Sequence, residues 1–228
     1  MNAMYPDGYT PPILTVDCVI FQFIGNVLNV LLLQRAKEPF KDMWALPGGY
    51  NAAGETTGEA MRRILGTKTG LDTKTLRYLE QLYTFDTVAR DPRGHAVSVS
   101  YLGLGRDLQL TAGETAQNPR FFPVSALPDL AYDHQEIIAY ALERLRAKIM
   151  YTNAIFGLLP DTFTLTQLQT AYEGVLGRPL DKRNFRKKFL SLGLIEATDN
   201  LHRDGAHRPA RLYRFRTATL EALERSFD

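Results

Sequence analysis

Residues 48–71, GGYNAAGETTGEAMRRILGTKTGL, constrain the fold of this 228-residue chain more than any other stretch. They follow the apolar run Trp44-Ala45-Leu46-Pro47. Thr56 or Thr57 can cap a helix and Gly70 can stop it, which predicts a helix over 57–69. Positions 64, 67, 68 and 71 then lie on one helix face, because residues three and four apart are surface neighbours.

The stretch resembles the Nudix box, whose pattern is G-x5-E-x7-R-E-U-x-E-E-x-G-U with U aliphatic. Gly49, Glu55, Arg63, Leu65, Gly70 and Leu71 fit that pattern, but three of its glutamates are replaced by Ile64, Thr67 and Lys68. In an intact box, carboxylates on one helix face hold Mg²⁺ against a diphosphate. Such a hard cation needs several oxygen ligands. It neutralises charge developing on the phosphates and activates water. Ile64 supplies no oxygen, Thr67 no charge, and Lys68 the wrong sign. The resemblance therefore implies a Nudix fold kept for binding and stripped of hydrolysis, with no catalytic residues, no metal and no cofactor. Gly48, Gly49 and Glu55 are the box residues expected at the bound ligand.

The length suits one large or two ordinary domains, and 45% hydrophobic residues support a real core. Cys18 is the only cysteine, which excludes internal disulfides and cysteine-based metal clusters. The four histidines show no metal-ligand spacing. With no N-terminal apolar segment of signal or membrane-spanning length, a cytoplasmic protein with no membrane partner is expected. The net charge of +2 is unevenly spread: residues 178–216 hold 11 basic and 4 acidic side chains. A basic cluster of this kind is an electrostatic footprint for nucleic acid.

In chain order, 13–23 and 27–34 read as strands, the first rich in β-branched and aromatic residues. Further strands are expected over 77–85, 96–103 and 120–124, with a long loop over 86–94. Asp133 and Glu136 form a capping-box pattern. The helix after them repeats apolar residues at Ile137, Ile138, Ala141, Leu142, Leu145 and Ile149. Past 151, Thr164 and Asp181 each cap a short helix, and strand-like segments over 195–198 and 211–215 flank a polar loop. Helix, turn, helix, strand, wing and strand is the winged helix-turn-helix order. The expected fold is α/β (α+β): a Nudix-like mixed sheet between helices over residues 1–148, then a winged helix-turn-helix domain over 149–228.

The second capped helix carries the densest basic run, Lys182, Arg183, Asn184, Arg186, Lys187 and Lys188. Phe185 and Phe189 fix its inner face, leaving the remainder for a major groove. Arg reads guanine and Asn reads adenine in bidentate fashion. Lys and the wing residues Arg203, His207, Arg208 and Arg211 are expected to neutralise phosphate. In the first domain, Arg35 and Arg93 have the fork geometry that suits a diphosphate. Trp44 is a candidate to stack on a nucleobase, and Phe40 reads as core.

The chain also resembles the Nudix-related transcriptional regulators of NAD metabolism. The resemblance is carried by residues 44–49, the degenerate box, Arg90-Asp91-Pro92-Arg93-Gly94, Ala131-Tyr132-Asp133-His134 and Arg183-Asn184-Phe185-Arg186. It implies a homodimeric repressor that binds double-stranded operator DNA beside NAD-biosynthesis genes. ADP-ribose or a related nucleotide sugar, bound in the first domain, would release it. Three other readings stay open: an active Nudix pyrophosphatase with ligands from outside the box, a regulator sensing a sugar, and a DNA-binding protein whose first domain only dimerises.

Overall fold

A computed structural model describes residues 9–111, 118–202 and 209–223. Its central strand is β1 (Ile13–Ile24), nearly continuous in apolar residues. Alternation along a strand sends successive side chains to opposite faces. Val16, Cys18 and Ile20 join Met61, Ile64 and Leu65 of helix α1 (Thr57–Thr69) in one core. Val19 and Phe21 join Ile137, Ala141 and Leu145 of helix α2 (His134–Tyr151) in the other. A strand covered on both faces needs such a nearly continuous apolar run.

Strand β2 (Val27–Gln34) turns back antiparallel on β1, and β3 (Trp44–Ala45) pairs with its end. The short β4 (Gly48–Tyr50) pairs with the start of β1. Across the sheet lie β5 (Tyr78–Phe85) and β6 (Ala96–Leu104). β6 runs parallel to β1, from Ile13 opposite Ala96 to Phe21 opposite Leu104. β7 (Arg120–Pro123) adds to β2, and the main path is β3-β2-β1-β6-β5.

Helix α1 has the expected bounds. Thr56 is its cap, in a reciprocal box with Glu59, and Gly70 closes it in the left-handed region at φ 68°. Helix α2 also starts where expected, but Asp133 makes no side-chain capping bond. Its carboxylate is drawn away by Arg90, as described below.

Beyond α2 come one 3₁₀ turn (Ala154–Leu158), α3 (Leu165–Leu176), α4 (Lys182–Ser191) and a hairpin of β8 (Ile195–His202) and β9 (Ala210–Phe215). Thr164 caps α3 in a box with Gln167, and Asp181 caps α4. Leu192 is the C-cap of α4, with Gly193 just past it at φ 67°. Phe163, Leu168, Val175, Phe189 and Ile195 belong to the same buried cluster as α2 and one face of β1. The two expected domains thus share a core through α2. The segment after β9 folds back on the end of that helix: Asn153 donates to Thr219 at 2.9 Å and accepts from the Glu221 amide at 2.8 Å. No helix among the described residues is long and apolar enough to cross a membrane.

Candidate ligand cavity and nucleic-acid interface

A cavity of ≈ 260 Å³ opens where the start of β1, β4, the 86–94 loop and the N-terminus of α2 converge. Its floor is charged and buried. Asp17 lies on the α2 side of β1, 5% exposed. One of its oxygens accepts from Ser98 Oγ at 2.6 Å and from Arg90 at 3.3 Å. Arg90, also buried, donates twice to Asp133, at 2.8 and 2.7 Å. Gly48 is required beside this network, because a Cβ there would meet Asp17 Oδ1 at 1.9 Å.

His134 completes the floor. Its Nδ1 accepts the Leu46 amide at 2.8 Å, which assigns the ring proton to Nε2, 3.5 Å from Asp17 Oδ1. Burial pushes its pKa below the ordinary value, against the opposing pull of Asp17 and Asp133. The ring is therefore a neutral structural bridge at ordinary pH. Cys18, behind the floor, is buried, and burial raises its thiol pKa well above the usual range. It is an inert core residue.

The mouth is built from cations over aromatic rings. Arg35 lies 4.7 Å from the centroid of Tyr132, and Arg93 approaches both Tyr132 and Tyr50. Asp91 holds Arg93 through two side-chain bonds, of 3.0 and 2.6 Å, and Tyr50 Oη accepts a third. Tyr132 is held at φ 56°, a region a bulky residue rarely adopts. Such a conformation persists only where surrounding contacts enforce it.

Of the residues picked from sequence for a ligand, Arg35, Gly48, Gly49 and Arg93 line this cavity. Trp44 does not: its ring packs edge-on against Phe122 at 4.5 Å, on the other side of β3 from the opening. The aromatic walls are Tyr132 and Tyr50 instead. Glu55 is also elsewhere, bound by Arg63 and by the Ala52 amide, so it braces the turn before α1. Phe40, read as core, is half-buried and packs its ring edge-on to Tyr132. Sequence reasoning passed over Asp17, Arg90 and Lys68 as site residues. Arg90 was legible only as part of the Arg90–Gly94 run, and Asp17 as the one charge in the apolar β1 stretch.

The box helix does not present a uniform ligand face. Ile64 is 1% exposed and belongs to the core under β1. Thr67 spends its hydroxyl on the Arg63 carbonyl at 2.8 Å. Lys68 reaches the cavity and donates to the Gly48 carbonyl at 2.6 Å. Among the described residues, no three His, Cys, Asp or Glu side chains are gathered as a metal site. A buried methyl, a hydroxyl turned to its own helix and an ammonium do not fit a divalent cation that wants oxygen ligands.

The second region is the outer face of α4. Lys182, Arg183, Asn184, Lys187 and Lys188 are exposed there, while Phe189 is buried and Phe185 half-buried. Tyr172 of α3 packs on both rings, at 5.3 and 5.6 Å, which sets the roll of the helix. Arg186 stands apart: it is half-buried and donates to Thr166 Oγ1 at 2.9 Å, tying α4 to α3. Asn184 and Lys188 also border an apolar groove with Met150 and Leu223. In the hairpin, Arg211 is exposed, whereas Arg214 and Arg216 pair with Glu196. Arg203, His207 and Arg208 lie outside the described residues.

Residues 11–144 match the NUDIX domain family, and residues 155–215 match the NrtR DNA-binding winged helix domain. The ADPR responsive transcriptional repressor NtrR of Acinetobacter baylyi is 38% identical over 213 residues, covering 91% of this chain and 83% of the relative. The ADP-ribose pyrophosphatase of Methanocaldococcus jannaschii is 38% identical over 130 residues, covering 57% of this chain and 73% of its own. The crystal structure of Shewanella oneidensis NrtR with a 27mer DNA superposes with a TM-score of 0.73 at 33% identity, covering 89% of this chain and 93% of that one. The NUDIX domain of the same protein, solved with ADP ribose, gives a TM-score of 0.56 at 33% identity, covering 63% of this chain and 94% of that one.

Proposed function

This chain belongs to the NrtR family, in which a Nudix domain precedes an NrtR winged helix, and on that premise we propose that it is a transcriptional repressor released from operator DNA by ADP-ribose. The Nudix cavity takes the effector and does not hydrolyse it. The α4 face and the wing take the duplex, as a homodimer on a two-fold symmetric site. Genes of NAD biosynthesis are the expected targets, since ADP-ribose is a product of NAD breakdown.

The observation that carries this reading is a single helix joining the two regions. α2 begins inside the cavity at His134 and ends under the winged helix at Tyr151. Eighteen residues make it about 27 Å long at the helical rise. Its first turn is held by the cavity floor through Asp133 and His134. Its last turns are held by both sides: Lys148 donates to Tyr78 at 2.7 Å and Glu80 at 2.5 Å, and Arg146 donates to the Val175 carbonyl at 2.9 Å. A ligand shifts an equilibrium only through differential contacts with the two states. An effector that reorganises the floor moves the start of α2, and the far end carries α3 and α4 with it.

The box supports the non-hydrolytic part of the proposal. Relatives of similar identity include a pyrophosphatase, and two residues support the non-hydrolytic reading here: Ile64 is in the core and Lys68 is a cation. Selection of bound duplexes from a random pool tests the reading. It should enrich a two-fold symmetric site, and ADP-ribose should elute that site without Mg²⁺-dependent release of AMP. A pool with no enriched sequence, or steady AMP release near about 1 s⁻¹, would overturn it.

A further inference from the structure

The cavity is lined by four cations besides the exposed Lys37, and among the described residues two of them pair with no carboxylate. Arg90 is committed to Asp133 and Asp17, and Arg93 to Asp91. Among the described residues, Arg35 donates to the carbonyls of Pro39 and Lys37, and Lys68 to that of Gly48. Among the described residues, neither Arg35 nor Lys68 is in an ion pair.

Lys68 is the less ordinary of the two. It is half-buried on the cavity side of α1, with its head against β4. A Cβ placed on Gly49 would lie in ordinary contact, 3.9 Å from Nζ and 3.5 Å from the Ile64 side chain, so the lysine head packs closely against the β4 backbone. Burial pulls its pKa down, and Asp17 offsets part of that cost from a distance. An ammonium has three donors, and one protein carbonyl satisfies one of them. A desolvated cation left with open donors and no counter-ion is stabilised when an anion arrives.

We propose that Lys68 stands in for a divalent cation in this cavity: its ammonium binds the diphosphate of a nucleotide-type diphosphate ester directly, so that the effector is taken up without metal. The inference rests on the cavity being the effector site, and it assigns the charge logic of that site. An intact box neutralises a diphosphate through a metal held by carboxylates. Here the positive charge is built into the helix, together with that of Arg35 at the mouth. A Lys ammonium acts as a compact point charge toward phosphate, where Arg adds a planar fork. The same substitution that removes a metal ligand thereby supplies a ligand contact.

Isothermal titration of the full-length protein tests this with two probes, ADP-ribose and inorganic pyrophosphate. Wild type should bind both in EDTA, and Mg²⁺ should not tighten ADP-ribose. Lys68→Met should weaken both probes about 10- to 150-fold, the loss expected for one hydrogen bond to a charged group. Lys68→Arg should retain most of the affinity, which a purely structural role for the stem would not require. A thermal melt reports whether Lys68→Met folds. Should it not fold, the metal-independence of wild type and the behaviour of Lys68→Arg still decide. Wild-type binding that requires Mg²⁺, or equal affinity in a folded Lys68→Met, overturns the proposal. If ADP-ribose fails but pyrophosphate binds through Lys68, the effector identity falls and the role of Lys68 stands. If ADP-ribose binds equally to a folded Lys68→Met, Lys68 falls and the effector reading stands. Binding of neither probe overturns both.

Discussion

In the cavity, Arg90 is 8% exposed and carries two carboxylates. On α4, Arg183 and Lys187 are exposed and, among the described residues, carry none. Both regions are cationic, yet their charges are held in opposite ways. Buried pairs fix geometry, are costly to break, and are weakly screened by salt. Exposed unpaired charges fix little, but they release counter-ions when they meet a phosphate backbone. The contrast teaches a division of labour: one region is shaped for a particular small ligand, and the other is free to track a duplex. Among the described residues, the cavity's inner cations without an ion pair are Arg35 and Lys68, whereas α4 keeps nearly all of its charge uncommitted.

The largest effect expected from this contrast is in the floor. Arg90→Ala leaves the buried Asp17 and the half-buried Asp133 without their cation, so stability should fall by about 3–5 kcal/mol. Urea denaturation measures it, and a loss below about 1 kcal/mol would place Arg90 among ordinary surface charges. Arg183→Ala should leave the fold intact and relax preference at one base pair, at about 1–3 kcal/mol. Competition among operator variants reads that change, and an unchanged preference would remove Arg183 from base readout.

The next effect depends on pH. His134 has a folded-state pKa below its ordinary value of 6.5, because burial disfavours its charged form. The unfolded chain therefore takes up a proton there before the folded one does. Its contribution is present above pH 6.5 and is lost as pH falls below it, by up to about 1.4 kcal/mol per pH unit. Melting curves at pH 7.5 and 5.5 should show this loss, and His134→Gln should flatten it. A wild-type melting point that rises on acidification in this window would contradict the neutral state assigned to the His134 ring. The smallest effect is at Lys187. Lys187→Ala should weaken all sequences alike and reduce the salt slope by about one unit. A base-dependent effect would exchange the roles given to Arg183 and Lys187.

How much was legible in the sequence follows the same division. Helix α1 and the start of α3 were placed from local chemistry alone, because Thr56, Gly70 and Thr164 are short-range signals read within a few residues. The α4 surface was legible too, since its outward charges need no partner from elsewhere. The cavity was not. Asp133 looked like a helix cap, and only the 86–94 loop, 43 residues away in sequence, explains why it is not one. Trp44 offered the right chemistry for stacking, but β3 pairs with β2 so that its ring meets Phe122. Ile64 and Lys68 share a helix face, yet the β1 core takes the first and the cavity takes the second. Long-range pairing decides each of these, and periodicity carries no record of it.

The central claim is that the cavity and α4 are coupled through α2. ADP-ribose titrated into the protein–operator complex, followed by fluorescence anisotropy, tests it most directly. A coupling of about 1–3 kcal/mol predicts operator affinity falling roughly 5- to 150-fold at saturating ligand. Unchanged operator affinity, with ADP-ribose binding verified on the same sample, would contradict it.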